Sequence, residues 1–165
     1  MTSEPKPLYS PDALGYFLTW TTYGTWLPGD QRGWTQRLSG DQTGDEFQNK
    51  RAKSKLGDSP CTLDLTQREI VNKVIRAHCE IRDWRLHAVN CRTNHVHVVV
   101  TTCEDPKEVL RQFKAWAARR LNEHGPRREK WWTERGSGRY LYDQESLESA
   151  TVYTLDAQDR KSRDR

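Results

Sequence analysis

Apolar and polar positions along this chain change period several times, and each change marks an element. Tyr16-Phe17-Leu18-Thr19-Trp20-Thr21-Thr22 is aromatic and β-branched, the composition of a first strand. From residue 65 the period becomes helical: Ile70, Val71, Val74, Ile75, His78 and Ile81 recur on one side, behind a capping box at Thr66-Gln67-Arg68-Glu69 with Leu65 and Ile70 as its staple. Trp84 to Cys91 alternates as a second strand and turns through Arg92 and Thr93 into Asn94-His95-Val96-His97-Val98-Val99-Val100, so the two predict a hairpin. Asp105-Pro106-Lys107-Glu108 opens the next helix with an N-cap, a proline at the first helical position and an acid at the third. Leu110, Phe113, Ala117 and Leu121 are its buried stripe, and Gly125-Pro126 ends it. Arg139-Tyr140-Leu141-Tyr142 is a short strand, and Asp143 caps a final helix over about 144–157.

The first six elements run strand, helix, strand, strand, helix, strand. That order predicts an α+β fold, a ferredoxin-like (RRM-like) antiparallel sheet in split βαβ order, with helices on one face and an added C-terminal helix carrying Tyr153. Residues 1–13, with three prolines, read as a flexible lead-in, 14–158 as a single domain, and 159–165 as a charged tail. Residues 35–60 are polar and without period, and predict a long mobile loop.

Composition adds a partner class. At 165 residues the chain holds one domain's worth of core, with 34% hydrophobic residues and a formal net charge of +4. The basic excess is local: between Arg111 and Arg139 nine basic residues face three glutamates, interleaved with Trp116, Trp131 and Trp132. Such a stretch suits a phosphate backbone with unstacked bases, and suits equally a solvated helix face followed by a charged loop. Lys114, Arg119, Arg120 and Arg139 are the candidates for the backbone track. Trp26 and Trp34, in a glycine-broken segment, either cap the core edge or stack on a base. Four cysteines at spacings of 18, 12 and 12 lack a zinc-finger pattern. Without an apolar leader or an 18-residue apolar run, the reading is a cytoplasmic protein with no membrane partner.

The candidate chemistry sits on the histidine strand. Side chains alternate across a strand, so His95 and His97 leave one face while Val96, Val98 and Val100 leave the other. Two neutral imidazoles at a spacing fixed by the pleat can hold a divalent metal. On the last helix Tyr153 shares its side with Ser146, Ser149, Ala150 and Ala157, which leaves room for a substrate strand; a tyrosine filling a gap in a loosely apolar face fits the same pattern. A phenol of pKa about 10 is hardly ionised at neutral pH, so as a nucleophile it needs an electropositive neighbour. His78 reads as a packing histidine.

A histidine-hydrophobic-histidine strand followed by a tyrosine on a later helix resembles the HUH superfamily, in particular its single-tyrosine, REP-associated transposases. The motif Asn94 to Val100 is similar to their histidine motif, Ser146 to Tyr153 to their tyrosine helix, and Tyr16 to Asp30 to the N-terminal stretch of one branch. The resemblance implies metal-dependent nicking and rejoining of single-stranded DNA through a 5′-phosphotyrosine intermediate. It makes His95 and His97 metal ligands and Tyr153 the nucleophile. The family's third ligand is an amide one turn past the tyrosine, where this chain has Ala157; Gln158 is one residue late, turned by about 100° on an ideal helix, and Asp156 is the second choice. The donor set favours Mg2+ or Mn2+ over zinc. The implied partner is single-stranded or hairpin DNA, and a homodimer is compatible with the reading. The alternatives are a replication or mobilisation initiator, which would need a helicase domain, a domesticated noncatalytic DNA-binding module of the same fold, and an RRM-type RNA-binding sheet, which would carry aromatics where His95 and His97 stand.

Overall fold

The computed structural model describes residues 12–25, 34–36, 40–55 and 59–157. In chain order its elements are β1 (Gly15–Thr21), β2 (Trp34–Gln36), β3 (Gly40–Gln42), α1 (Glu46–Ser54), α2 (Leu65–Arg82), β4 (Arg85–Cys91), β5 (His95–Thr101), α3 (Pro106–His124), β6 (Ser137–Leu141), α4 (Gln144–Val152) and a π-helical turn, Tyr153–Ala157. Four strands form one sheet in the order β4-β5-β1-β6, every neighbouring pair antiparallel. Two βαβ units, β1-α2-β4 and β5-α3-β6, are thereby threaded through each other, which makes the fold α+β.

Alternation along β5 divides the protein in two. Val96, Val98 and Val100 are fully buried with Tyr16, Leu18 and Trp20 of β1, against Val71 and Ile75 of α2 and Val109, Phe113, Ala117 and Leu121 of α3. A second, smaller cluster lies on the other face, where Val99 of β5 and Ala88 of β4 pack with Leu141, Leu147 and Ala150. Thus α2 and α3 cover the valine face, and α4 covers part of the histidine face.

Local chemistry explains where the helices begin. The box at the start of α2 is built two residues earlier than the sequence reading placed it: Asp64 Oδ1 accepts from the Gln67 amide at 2.8 Å, and Gln67 Oε1 accepts from the Asp64 amide at 2.9 Å. Leu65 is 64% exposed, so the expected staple with Ile70 does not form. On the same helix Ile81 is exposed as well, and His78 is buried with its Nε2 at 2.8 Å from Gln112 Oε1, a packing role. Asp105 caps α3 with Pro106 behind it, as expected. Asp143 caps α4, accepting from the Ser146 amide at 2.7 Å. The final helix is α-helical only to Val152; from Tyr153 it widens into the π turn.

The segment expected as an irregular loop over 35–60 contains the β2–β3 pair and α1, which Asp45 caps. Its helix buries no residue, which is why no apolar period announced it. Among the described residues no helix is long and apolar enough to cross a membrane.

Gly136 leads into β6 where the chain passes close behind β1. A Cβ there would meet Leu110 Cδ2 at 2.6 Å and the Thr19 carbonyl oxygen at 2.8 Å, and the second atom, being backbone, cannot step aside. Gly136→Ala is expected to cost about 1–3 kcal/mol through this overlap. Urea denaturation measures it, and an unchanged midpoint would contradict the close approach.

Candidate active site

The face of the sheet opposite the main core carries the two histidines. Their ring centroids lie 4.8 Å apart. His95 is held by the residue before it, with Nδ1 at 2.6 Å from Asn94 Oδ1, and since an amide oxygen only accepts, Nδ1 is the protonated nitrogen. His97 is held across the sheet: Thr19 is its register partner on β1, and Thr19 Oγ1 lies 2.8 Å from His97 Nδ1. In both rings Nδ1 makes the orienting bond, so Nε2 carries the lone pair when Nδ1 donates.

His97 is only 8% exposed. Burial, and then the neighbouring His95 and Arg92, push its pKa down to about 3. The imidazole is therefore neutral throughout the physiological range, the state a metal ligand requires. Phe17, two residues before Thr19 on β1, stacks on His97 with centroids 5.4 Å apart and planes at 12°.

Tyr153 reaches the same place from the helix. Its ring stands edge-on to Phe17 at 6.1 Å and to His97 at 6.0 Å, all three in one chain. Leu147 and Ala150 anchor α4 on the sheet, and Asn90 of β4 donates from Nδ2 to the Thr154 carbonyl at 2.9 Å, immediately after the tyrosine. Residues more than fifty positions apart in sequence thus converge on one side of the sheet.

The basic candidates divide between the two faces. Arg139 lies opposite Phe17 in register, with its guanidinium carbon 5.6 Å above the Phe17 ring, beside the histidines. Lys114, Arg119 and Arg120 are on α3, across the sheet. Lys114 Nζ donates to the Thr133 carbonyl, and burial lowers its pKa. Arg119 and Arg120 pair with Glu123 at 3.3 and 3.2 Å, and Arg119 also covers the Trp116 ring. Trp131 is buried and donates to Asn122 Oδ1, while Trp132 packs on the core and donates to the Lys114 carbonyl, so these two indoles are structural. Trp26 and Gln158 lie outside the described residues, and so does the side chain of Trp34, whose backbone pairs with Gln42. Asp156 is exposed on the π turn.

Among the described residues no group of three or more His, Cys, Asp and Glu is placed to hold a metal. The pair His95 and His97 fits a divalent ion by its chemistry: two neutral, pre-oriented imidazoles on one rigid strand. Sequence reasoning missed Phe17, Thr19 and Asn90. Period two along β1 would have put Phe17 and Thr19 on one face, but which face met the histidines depended on a register no local pattern states.

The fold thus sets a strand-borne histidine pair beside a tyrosine from the end of the last helix. The family model described as transposase, IS200-like, matches residues 62–152, more than half of the chain, and the chain belongs to that family. The match ends one residue before Tyr153. No curated protein sequence matches the chain. Among solved structures it is similar to a REP-associated tyrosine transposase bound to a REP hairpin, with a TM-score of 0.57 at 14% identity, covering 96% of this chain and 74% of that one. It is also similar to a transposase-class structure from Deinococcus radiodurans R1, with a TM-score of 0.48 at 15% identity over 93% of this chain and 95% of that one.

The depressed His97 pKa is open to direct measurement. In a histidine-resolved NMR titration without metal, the His97 ring resonance is expected to stay flat from pH 8 to about 4.5, well above its midpoint of about 3. Because unfolded histidine takes up its proton near pH 6.5, folding loses stability as pH falls through the window between the two values. A His97 midpoint near 6.5 in the native protein would overturn this account of the site.

Proposed function

We propose that this protein nicks and rejoins single-stranded DNA, using Tyr153 as nucleophile and a divalent metal held by His95 and His97. The observation that carries the reading is the Tyr153 ring standing 6.0 Å from His97, on the face of the sheet away from the main core. Mg2+ or Mn2+ is the expected ion, since a site shared by imidazoles, an amide, water and phosphate oxygen is mixed but mostly hard. When bound, such an ion supplies Lewis-acid polarisation of a phosphoryl oxygen. Gln158 is the proposed third ligand, with Asp156 second.

The chain's own residues supply the rest. Thr19 and Asn94 fix the two imidazoles, and Phe17 backs His97. The phenolic oxygen of Tyr153 forms a bond to phosphorus as the bond from phosphorus to the 3′-oxygen breaks; the phenol proton passes to solvent, and the departing 3′-oxygen takes one up as a hydroxyl. The phosphodiester's bond is conserved in the 5′-phosphotyrosine, so a returning 3′-hydroxyl can reverse the step. That is strand transfer rather than hydrolysis. Arg139, a cation beside this site, would meet a backbone phosphate of the strand. The similar structure solved with a REP hairpin supports hairpin-bearing DNA as the substrate.

The test is incubation with oligonucleotides carrying imperfect hairpins and single-stranded flanks, in Mn2+, read as a covalent protein–DNA band on a denaturing gel. The band is expected for the wild type, absent with Tyr153→Phe and absent in EDTA. Hairpin binding without any adduct would favour the noncatalytic DNA-binding reading. Thr19→Val removes the hydroxyl that orients His97 at nearly constant volume. It is expected to weaken Mn2+ binding by about 10–100-fold in a calorimetric titration, the usual cost of losing a ligand's supporting hydrogen bond; equal affinity would show that Thr19 does not orient a ligand.

A further inference from the structure

Tyr153 is not on the α-helix that approaches the sheet but on the first position of the π turn that follows it. Wide turns of this kind are rare and survive where something outside the helix holds them, frequently at functional sites. Here the holding group is identifiable. Asn90 Nδ2 donates to the Thr154 carbonyl at 2.9 Å. Thr154 itself has no exposed surface, and its hydroxyl donates back to the Ala150 carbonyl at 2.8 Å, closing the end of α4. Asn90 is also the register partner of His97 on the adjacent strand. One side chain therefore ties the residue after the tyrosine to the strand position beside the histidine.

We infer that Asn90 is a positioning residue for Tyr153: its amide bolts the π turn to β4 and so sets the distance and direction of the phenol relative to His97. This rests on the nucleophile reading above and deepens it. The bolt lies on the residue next to the tyrosine, whereas the apolar packing of Ala150 and Leu147 on the sheet lies about one and two turns back. Apolar packing resists separation but defines rotation weakly, whereas a hydrogen bond to a fixed carbonyl defines both. Small displacements of a nucleophile are costly, with misplacement by about 1 Å capable of losing on the order of 10²-fold in rate.

The test uses Asn90→Leu, close in volume but without a donor, and Asn90→Ser as a smaller change in case the first does not fold. Two quantities are read in the full-length protein. One is the rate of covalent adduct formation against oligonucleotide concentration. The other is the fluorine NMR resonance of Tyr153 in protein labelled with 3-fluorotyrosine, assigned among the six tyrosines by its loss in Tyr153→Phe. The expected result is a maximal adduct rate lowered on the order of 10²-fold, half-saturation within about twofold of wild type, and a Tyr153 resonance shifted or broadened while the others stay in place. A merely structural role would lower stability and move several resonances together without that split. An unmoved Tyr153 resonance in a folded variant overturns the inference. If the wild type itself forms no adduct, the nucleophile reading fails, and the resonance still decides whether Asn90 holds the turn.

Discussion

Everything at the site depends on the burial of one side of β5. Val96, Val98 and Val100 fill the core under α2 and α3, and burying each contributes roughly 1.5–3 kcal/mol. Since side chains alternate, a slip of one residue would carry all three valines out and bring His95 and His97 into an apolar interior. The desolvation of two imidazoles would add to the loss. Register is thus chosen by the valines, and the histidines are presented as its consequence.

From that register the remaining contacts follow by position. Thr19 meets His97 because β1 is paired so that Leu18 faces Val98 on the other side. Phe17, one alternation further, arrives against the His97 ring and beneath Arg139 of β6. The same burial that orders these groups holds His97 neutral. Helix α4 comes from outside the interleaved unit, and it docks on the small apolar patch of Ala88, Val99 and Leu141 that the histidine face retains.

The split of basic residues between the two faces separates composition from function. From Arg111 to Arg139 the chain looks like one cationic stretch, yet four of its nine basic residues lie on α3, where Glu108, Glu123 and the Thr133 carbonyl engage them. Arg139 alone of the four candidates stands beside the histidines. Two of the three tryptophans of the stretch serve the core through their indole N–H groups. A charge run states how much positive potential is present; the topology states where it is spent.

Local signals were enough for the two-faced histidine strand, the order of the interleaved elements and the caps at Asp105 and Asp143, because each is decided by residues within one turn or one pleat of each other. The types and order of His95, His97 and Tyr153 are visible in the chain itself and, with the resemblance they carry, named the three as candidates; the structure brings their rings to one side of the sheet. The nine-residue helix α1 was illegible because nothing on it is buried, and the start of α2 was misplaced because both Asp64 and Thr66 can serve as caps and only the three-dimensional bonds choose between them. Which face α4 covers, the pairing of Thr19 with His97 and the Asn90 bond to Thr154 all join residues tens of positions apart. They are set by sheet register and by the competition of surfaces for burial, which no stretch of the chain carries alone.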